Sequence, residues 1–330
     1  SMPMANNLAQ AMITSADSFP LMAIPFFMLV GTLMEKTGIA RRLVDIASIL
    51  TGDTPGGLGM AAIVASMFFA AISGSGPATA AAIGGIMLPA MIEQRYSRSY
   101  SVGIVSGASI IGPIIPPSIP MIMYGVTVGV SVTKMFTAGF IPGFMLGGGL
   151  CLYNYFVSKK RGYRGNTVTM TRKEKIDTFK GAIPAILMPV IVLGGIYGGI
   201  FTPTECSVVG VVYTLLVGKF VYHELTFKKL KESLVEAAIT SATIMIIFGP
   251  ATTFGRLLTI GKIPTMVTDA MLSFSTNKYV IMLIINVLLL IIGMFIDTNS
   301  SIVLFAPLFV PILTSLGFDI YYVGVIMVVN

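Results

Sequence analysis

The polar chemistry of this chain is concentrated in short segments that interrupt long apolar runs. Four prolines and one glycine lie between Ile110 and Pro120, inside an apolar stretch long enough to enter a bilayer. Proline removes a backbone donor and collides with the carbonyl of the preceding turn, so no regular helix is expected through this segment. Unpaired carbonyls are tolerated at membrane depth only where they are buried in protein or line a polar cavity. Such broken helices are typical of the ligand sites of secondary transporters, although a packing kink or a turn outside the membrane is the alternative.

A second polar segment, Ile72-Ser73-Gly74-Ser75-Gly76-Pro77, joins two apolar arms, Leu58–Ala71 and Ala78–Met91. Each arm is shorter than the roughly 20 residues that a transmembrane helix needs, so the pair predicts a re-entrant hairpin. At such a tip, helix N-termini offer N–H groups, and unwound carbonyls and hydroxyls offer oxygens to a cation such as sodium. The candidate hydroxyl ligands are Ser73, Ser75, Thr79 and Ser118. The alternative is that these small residues only let helices pack closely.

Two charged residues lie in apolar surroundings and could bind a ligand. Asp297 falls between the apolar runs Tyr279–Phe295 and Ile302–Leu316, which form a second short-armed pair. An ionisable group at that depth is a functional candidate, although Asp297 also suits the N-cap of the following helix. Arg256 follows Gly249-Pro250, which predicts another break. Its guanidinium could bind a carboxylate through two hydrogen bonds, or could instead extend to the membrane interface.

The composition defines a polytopic all-α membrane protein. Hydrophobic residues make up 55% of the chain and charged residues 11%, whereas soluble domains carry about 25% charge. The two cysteines, Cys151 and Cys206, and the single histidine, His223, predict neither a disulfide framework nor a zinc or iron centre. No nucleophile elbow, Walker loop or dinucleotide fingerprint is present in the sequence, so an enzyme is not expected.

The net charge of +7 is concentrated in two segments. Ser158–Lys180 contains eight basic and two acidic residues, and Tyr222–Lys231 adds three lysines against one glutamate. Beside membrane spans, such loops indicate the cytoplasmic side rather than nucleic-acid binding. Because two spans separate them, loops 158–180 and 222–232 are both predicted to be cytoplasmic, and the turn at 201–205 is predicted to face the periplasm or exterior.

An internal repeat is predicted from the spacing of these features. Aligning the sequence with itself at an offset of about 222 residues pairs Ser75 with Asp297 and Pro89 with Pro311. Repeats of this kind are common in secondary transporters. In this register Asn330 corresponds to about Ser109, so we expect the chain to be a fragment that stops before its second proline-rich break. The start at Ser1-Met2-Pro3 is expected to be a cut end or an added segment.

At this point three motifs resemble a known family. Asp17–Phe27 (DSFPLMAIPFF), Ser73–Thr79 (SGSGPAT) and Gly112–Ser118 (GPIIPPS) are similar to the large membrane subunit of tripartite ATP-independent periplasmic (TRAP) transporters. The resemblance covers essentially the whole chain, and the order of the three motifs makes it specific. The family's preceding N-terminal span and its second proline-rich break, which would contribute to a second sodium site, are expected to lie outside this sequence.

The resemblance implies an inverted-repeat, elevator-type architecture with two re-entrant helical hairpins and broken helices. Residues 1–56 would form an N-terminal scaffold span and an amphipathic interfacial helix, and residues 57–130 the first transport-domain repeat. Residues 131–232 would form scaffold spans with the basic loop 158–180. The apolar runs themselves predict spans near 135–157, 182–200, 206–222 and 233–260. Residues 233–330 would form the second transport-domain repeat.

The resemblance also implies sodium-coupled import, across the bacterial inner membrane, of an organic acid such as a dicarboxylate or sialic acid. It implies two protein partners, a small four-helix membrane subunit and a periplasmic substrate-binding protein. The sodium ligands it implies are Ser73, Gly74, Gly76, Gly112, Pro113, Pro117, Thr253 and Asp297. The substrate-binding residues it implies are Arg256, Asp297, Thr298, Asn299, Ser75, Pro116 and Ser118. The alternatives are a passive channel and a scaffold subunit that does not itself transport.

Overall fold

The structure is a computed structural model that describes residues 9–10, 12–15, 17–163, 171–275 and 277–330. Ser1-Met2-Pro3 and Arg164 of the predicted basic segment lie outside these ranges. Within them the chain forms helices and connecting turns and contains no β-strand. The predicted all-α class is therefore confirmed for the described residues.

The first half of the chain contains seven helices between Ala23 and Arg161. A 3-10 turn at Phe19–Met22 precedes them. The helices are α1 (Ala23–Lys36), α2 (Ile39–Thr51), α3 (Gly57–Ser73), α4 (Gly76–Glu93), α5 (Arg98–Ser109), α6 (Ile119–Val128) and α7 (Val132–Arg161).

The second half contributes α8 (Arg172–Tyr197), α9 (Pro203–Leu216), α10 (Phe227–Ile260), α11 (Ile263–Phe274), α12 (Lys278–Gly293), α13 (Thr298–Ser315) and α14 (Ile320–Val329). A π-helical turn at Val217–Val221 continues α9. By length and composition, six helical segments of the described chain could cross a membrane. They are Phe19–Lys36, Val132–Arg161, Arg172–Tyr197, Pro203–Val221, Phe227–Ile260 and Thr298–Ser315.

The predicted interruption before Pro120 is confirmed. Helix α5 ends at Ser109 and α6 begins at Ile119, and the residues between them form turns. Local hydrogen bonds replace the helical ladder there, such as Gly112 N–H to the Ser109 carbonyl at 3.0 Å. Most of the intervening residues are buried, so the prolines impose an irregular backbone inside the protein, as the sequence predicts.

The break predicted at Gly249-Pro250 is wrong, because α10 is continuous through both residues. The missing N–H of Pro250 would have bonded the Ile246 carbonyl, so α10 loses a single hydrogen bond at this position. The Thr253 hydroxyl donates to the Gly249 carbonyl at 3.0 Å, and the Thr252 hydroxyl donates to the same carbonyl at 2.9 Å. One proline flanked by two threonines is accommodated here, whereas the cluster of prolines before Pro120 is not.

The chain divides into two compact units. The larger comprises residues 25–118 and 139–238, and the smaller comprises residues up to 24, 119–138 and 239–330. In the larger unit, α2 packs against α3 and α8, and α4 packs against α3 and α5. In the smaller unit, α13 packs against α6, α11 and α14, and the fully buried Tyr124 donates its hydroxyl to the Ile320 carbonyl at 2.6 Å.

A buried polar network holds the base of the first hairpin in the larger unit. The Asn154 side chain on α7 is fully buried, and its Nδ2 donates to the Gly56 carbonyl at 2.9 Å. Its Oδ1 accepts from the Tyr100 hydroxyl at 3.0 Å. Because buried polar groups are costly to leave unpaired, these bonds fix α7 to the segment where α3 begins and to α5.

We expect Tyr100→Phe to lower the free energy of unfolding by about 1–3 kcal/mol, because Asn154 Oδ1 loses its closest donor in a buried site. Tyr153 is the matched control, since it lies on α7 with 57% of its side chain exposed. Chemical unfolding in detergent measures both variants. Equal stability of Tyr100→Phe and Tyr153→Phe would contradict the role of this network.

Candidate functional site

The tip of the first hairpin is built by two glycines and two serines. Helix α3 ends at Ser73, and its C-cap Gly74 has a φ of +59°, in the left-handed region that glycine tolerates. Ser75 is extended and caps α4, accepting a hydrogen bond from the Ala78 N–H at 3.4 Å. The chain therefore reverses between Ser73 and Gly76 and leaves the N-terminus of α4 at the tip.

Hydroxyl and carbonyl oxygens converge at this tip. The buried hydroxyls of Ser73 and Thr79 lie 3.3 Å apart. The Thr79 hydroxyl donates to the Ser75 carbonyl at 2.8 Å, and the Ser75 N–H approaches Ser73 Oγ at 3.5 Å. This set contains neutral oxygens without a carboxylate, which is a donor set suited to a monovalent cation.

The hairpin tip contacts the start of the broken segment. A Cβ atom added at Gly112 would lie 3.0 Å from the Ser75 carbonyl oxygen and 3.0 Å from the Ser109 carbonyl oxygen. A Cβ atom at Gly76 would lie 3.3 Å from the same Ser109 oxygen. A Cβ atom at position 112 would therefore require the neighbouring backbone to shift by a few tenths of an ångström. The structure thus brings Ser75 and Gly76 of the tip against Gly112 and Pro113 of the broken segment, and the roles of these residues as ligands stay predictions.

The remaining residues of the broken segment are buried beside this contact. Pro116, Pro117 and Ser118 are buried. The Ser118 hydroxyl donates to the Pro113 carbonyl in a short hydrogen bond. This bond closes the segment into a loop that ends immediately before Ile119, the first residue of α6.

In the smaller unit, Asp297 caps the N-terminus of α13. Its Oδ2 accepts from the N–H groups of Asn299 at 3.0 Å and Ser300 at 3.2 Å, and its Oδ1 accepts from the Ser300 hydroxyl. The N-cap interpretation of Asp297 is therefore confirmed. Thr298 is the first helical residue, so the sequence Asp297-Thr298-Asn299-Ser300 forms the second tip.

A small cavity of about 90 Å³ adjoins this second tip. Asp297, Asn299 and Ser300 line it on one side, and Thr243 and Ile247 of α10 line it on another. Among the described residues, Asn299 Oδ1 and Ser301 Oγ are buried without a hydrogen-bond partner. A buried acceptor without a donor costs about 1–3 kcal/mol, so the tip holds oxygens that a bound cation would satisfy.

Arg256 and Thr253 lie further along α10. The cavity-lining residue nearest to Arg256 in sequence is Ile247, nine residues earlier and about 13 Å away along the helix axis. Gly255, beside Arg256, packs against Pro307 of α13, ten residues beyond Asp297. The smaller unit therefore does not bring Arg256 to the cavity at Asp297. Arg256 is exposed and forms no ion pair with a described residue.

The sequence did not predict two groups that lie at the tips, the Ser109 carbonyl at the first and the Thr243 side chain at the second. The Ser109 carbonyl faces Gly76 and Gly112, and a carbonyl leaves no residue-type signal in a sequence. Thr243 lines the cavity at Asp297. Its hydroxyl position on an apolar helix is a weak signal, since Thr243 also bonds to the Ile239 carbonyl of its own helix at 2.9 Å.

Interrupted helices, small polar tips and apolar spans together define an all-α, multi-pass membrane protein built around its helix breaks. The chain belongs to the family described as "Tripartite ATP-independent periplasmic transporter, DctM component", whose family model matches residues 1–330. The resemblance stated from three motifs is therefore confirmed. The family is one of transporters rather than enzymes, and its members lie in the inner membrane.

Named relatives align over nearly the whole chain. An isethionate TRAP transporter permease protein, DctMQ, of Oleidesulfovibrio alaskensis is 46% identical over 327 residues, covering 98% of this chain and 51% of the relative. The sialic acid TRAP transporter large permease protein SiaM of Vibrio cholerae is 37% identical, covering 98% and 76%. The C4-dicarboxylate TRAP transporter large permease protein DctM of Pseudomonas aeruginosa is also 37% identical, with the same coverage.

Proposed function

We propose that this chain is the transporting part of a secondary active importer for an organic acid, driven by a sodium gradient. The observation that carries the proposal is the contact between the first hairpin tip and the broken segment at Gly112, where a Cβ atom would lie 3.0 Å from the Ser75 carbonyl oxygen. Two interrupted backbones in contact bring helix ends together with carbonyl and hydroxyl oxygens, which is how secondary transporters hold ions and substrates.

Sodium is the coupling ion we propose, and it would be carried as a substrate. The first tip offers hydroxyl and carbonyl oxygens of Ser73, Ser75 and Thr79. The second offers Asp297 and the unpaired Asn299 Oδ1. Both donor sets consist of oxygen atoms, which suit a hard cation better than a soft one. The full sets, with Gly74, Gly76, Gly112, Pro113, Pro117 and Thr253, stay predictions.

An organic anion is the substrate class that we propose. The named relatives are described as transporters of isethionate, sialic acid and C4-dicarboxylate, which all carry an acidic group. Arg256 supplies a cation without an ion-pair partner among the described residues, and a guanidinium binds a carboxylate or sulfonate through two donors. We propose Ser75, Pro116, Ser118, Asp297, Thr298 and Asn299 as the other substrate-binding residues.

The elevator mechanism and the partners enter the proposal from the family resemblance. We propose a scaffold at residues 1–56 and 131–232 and a transport domain containing both hairpins. A small four-helix membrane subunit and a periplasmic binding protein would complete the system. The chain covers only 51% of the Oleidesulfovibrio relative, so that relative has room for segments beyond those aligned here.

Uptake into proteoliposomes tests the proposal. The full-length subunit is reconstituted with its membrane partner and delivery protein, and labelled isethionate, sialic acid and succinate are offered in turn. With an inward sodium gradient, one of these acids should accumulate above its external concentration; with choline replacing sodium, or after monensin, it should not. Uptake that ignores the gradient, or that stops at equal concentrations, would overturn the sodium-driven importer and favour a passive pore.

A further inference from the structure

A second site lies in the larger unit, apart from both tips. A groove with a volume of about 910 Å³ runs between α2, the C-terminal end of α4 and the C-terminal end of α7. Its apolar lining includes Val44, Leu58 and Met87. Its polar lining includes both signs of charge, from Arg41, Arg95, Arg161, Asp45 and Glu93. A groove with apolar and charged linings fits an amphipathic ligand.

The charged side chains that line this groove form no salt bridge with one another. Among the described residues, the ion pairs join Lys36 to Glu232 and Glu236, and Arg42 to Glu224. None of the five charged groove residues takes part in them. Arg161 lies with its guanidinium carbon 5.3 Å from the centre of the Tyr100 ring, and it also hydrogen-bonds the hydroxyl of Tyr163, another residue that lines the groove. The groove therefore presents arginines and carboxylates that are not joined to each other in a salt bridge.

The backbone of Arg95 has a positive φ, which is unfavourable for a residue with a side chain and indicates a function for this arginine. Arg95 follows the C-cap of α4 with φ +62°, a region that favours glycine. The Arg95 N–H bonds the Ile92 carbonyl and the Tyr96 N–H bonds the Met91 carbonyl, each at 3.0 Å. These two bonds form a Schellman motif, in which glycine is the usual residue at the position that Arg95 occupies.

The same chain builds this motif with glycine elsewhere. After α13, Gly317 has φ +84°, and the N–H groups of Gly317 and Phe318 bond the Thr314 and Leu313 carbonyls. Gly317 is also the residue that the internal repeat aligns with Arg95. The first hairpin therefore carries a strained arginine where the second carries an unstrained glycine, and an outlier of this kind points to function.

The groove lies at the level expected for lipid headgroups. It adjoins the end of α7 that carries Lys159, Lys160 and Arg161, the end that the basic-loop rule assigns to the cytoplasm. Two large apolar side chains near it are exposed, Ile92 on α4 by 46% and Leu50 on α2 by 66%. In a bilayer such side chains contact acyl chains, so a lipid could place its tails there and its headgroup in the groove.

We propose that this groove binds the headgroup of an aminophospholipid. The phosphate would lie between Arg95 and Arg161, which donate charge-assisted hydrogen bonds to it. The primary ammonium would donate to the carboxylates of Asp45 and Glu93. A purely anionic headgroup would face two carboxylates, and a quaternary ammonium has no N–H to donate to them. The presence of both signs in one groove therefore selects phosphatidylethanolamine over phosphatidylglycerol and phosphatidylcholine.

Native mass spectrometry of the full-length, detergent-purified complex tests the proposal. The complex is titrated with phosphatidylethanolamine, phosphatidylcholine and phosphatidylglycerol of matched chains, and with water-soluble glycerophosphoethanolamine as a competitor. We expect phosphatidylethanolamine to bind about tenfold more tightly than either other lipid, since each lacks one charged hydrogen-bond set. Equal binding of the three lipids, or full displacement by an equimolar amount of the soluble headgroup, would overturn the proposal.

The Arg95→Gly variant separates binding from folding. Glycine suits the positive φ at position 95, so the unfolding temperature should stay the same or rise, while phosphatidylethanolamine affinity falls about tenfold. Glu93→Gln should remove the preference over phosphatidylcholine. Arg98→Gln, an exposed arginine outside the groove, is the matched control and should change neither property. Wild-type lipid affinity in Arg95→Gly would overturn the proposal, and so would a lowered unfolding temperature, which would show that the Arg95 side chain stabilises the fold.

Discussion

Replacing Gly112 with alanine should lower sodium-driven uptake at least tenfold while the protein still folds and inserts. The added Cβ would lie 3.0 Å from two carbonyl oxygens, those of Ser75 and Ser109. Both neighbours are backbone atoms, so the hairpin tip and the broken segment must move apart by several tenths of an ångström. Binding sites need their ligands held to within about 0.5 Å, and a tenfold loss corresponds to about 1.4 kcal/mol.

Gly103→Ala is the matched control for this prediction. Gly103 lies on α5, the helix that leads into the same broken segment, and a Cβ atom there meets nothing within 4 Å. Alanine is a better helix former than glycine, so this variant should transport like the wild type and be equally or more stable. Equal uptake by Gly112→Ala and wild type would show that the contact at Gly112 is not part of the transport site.

Replacing Asn299 with alanine should have opposite effects with and without sodium. Asn299 Oδ1 is buried with no donor among the described residues. If a cation is its missing partner, its removal should leave the sodium-free protein as stable as wild type, or more stable by up to about 1–3 kcal/mol. The same change should abolish most of the sodium-dependent rise in unfolding temperature and lower uptake at least tenfold, because a ligand stabilises only the state that binds it.

Ser315→Ala, on the same helix α13, is the matched control for Asn299→Ala. Ser315 is exposed at the far end of α13, where its hydroxyl bonds to the Ile312 carbonyl at 2.7 Å. Ser315→Ala should keep the wild-type response to sodium. Thermal unfolding in sodium and in choline, followed on both variants, makes the comparison. A loss of stability in Asn299→Ala that is equal in both salts would mean that Asn299 supports the fold and does not hold the ion.

The interruption before Pro120 could be predicted because several prolines cannot all be accommodated in one helix. Gly249-Pro250 could not be assessed in the same way. The missing N–H of Pro250 costs the helix only its bond to the Ile246 carbonyl, and α10 stays continuous through this position. The lesson is that one proline is a weak signal of a break, whereas a cluster is a strong one.

The site itself was predictable where it depends on local sequence. The tip Ser73–Gly76 and the N-cap role of Asp297 follow from capping chemistry, which operates within a few residues. The contact of Gly112 with the Ser75 carbonyl joins segments 37 residues apart, and it depends on tertiary packing. The role of Arg256 as a substrate ligand stays a prediction from its residue type, whereas its position, about 13 Å along α10 from the cavity at Asp297, follows from the helix register.

Hydrogen–deuterium exchange of the full-length subunit in sodium and in choline tests the central claim most directly. If sodium binds where the first hairpin meets the broken segment, peptides covering 73–79 and 109–118 should both gain protection in sodium, with similar midpoints. Choline should protect neither, and Gly112→Ala should weaken the effect in both segments together. Exchange that is identical in the two salts, or protection confined to one segment, would contradict a shared ion site at this contact.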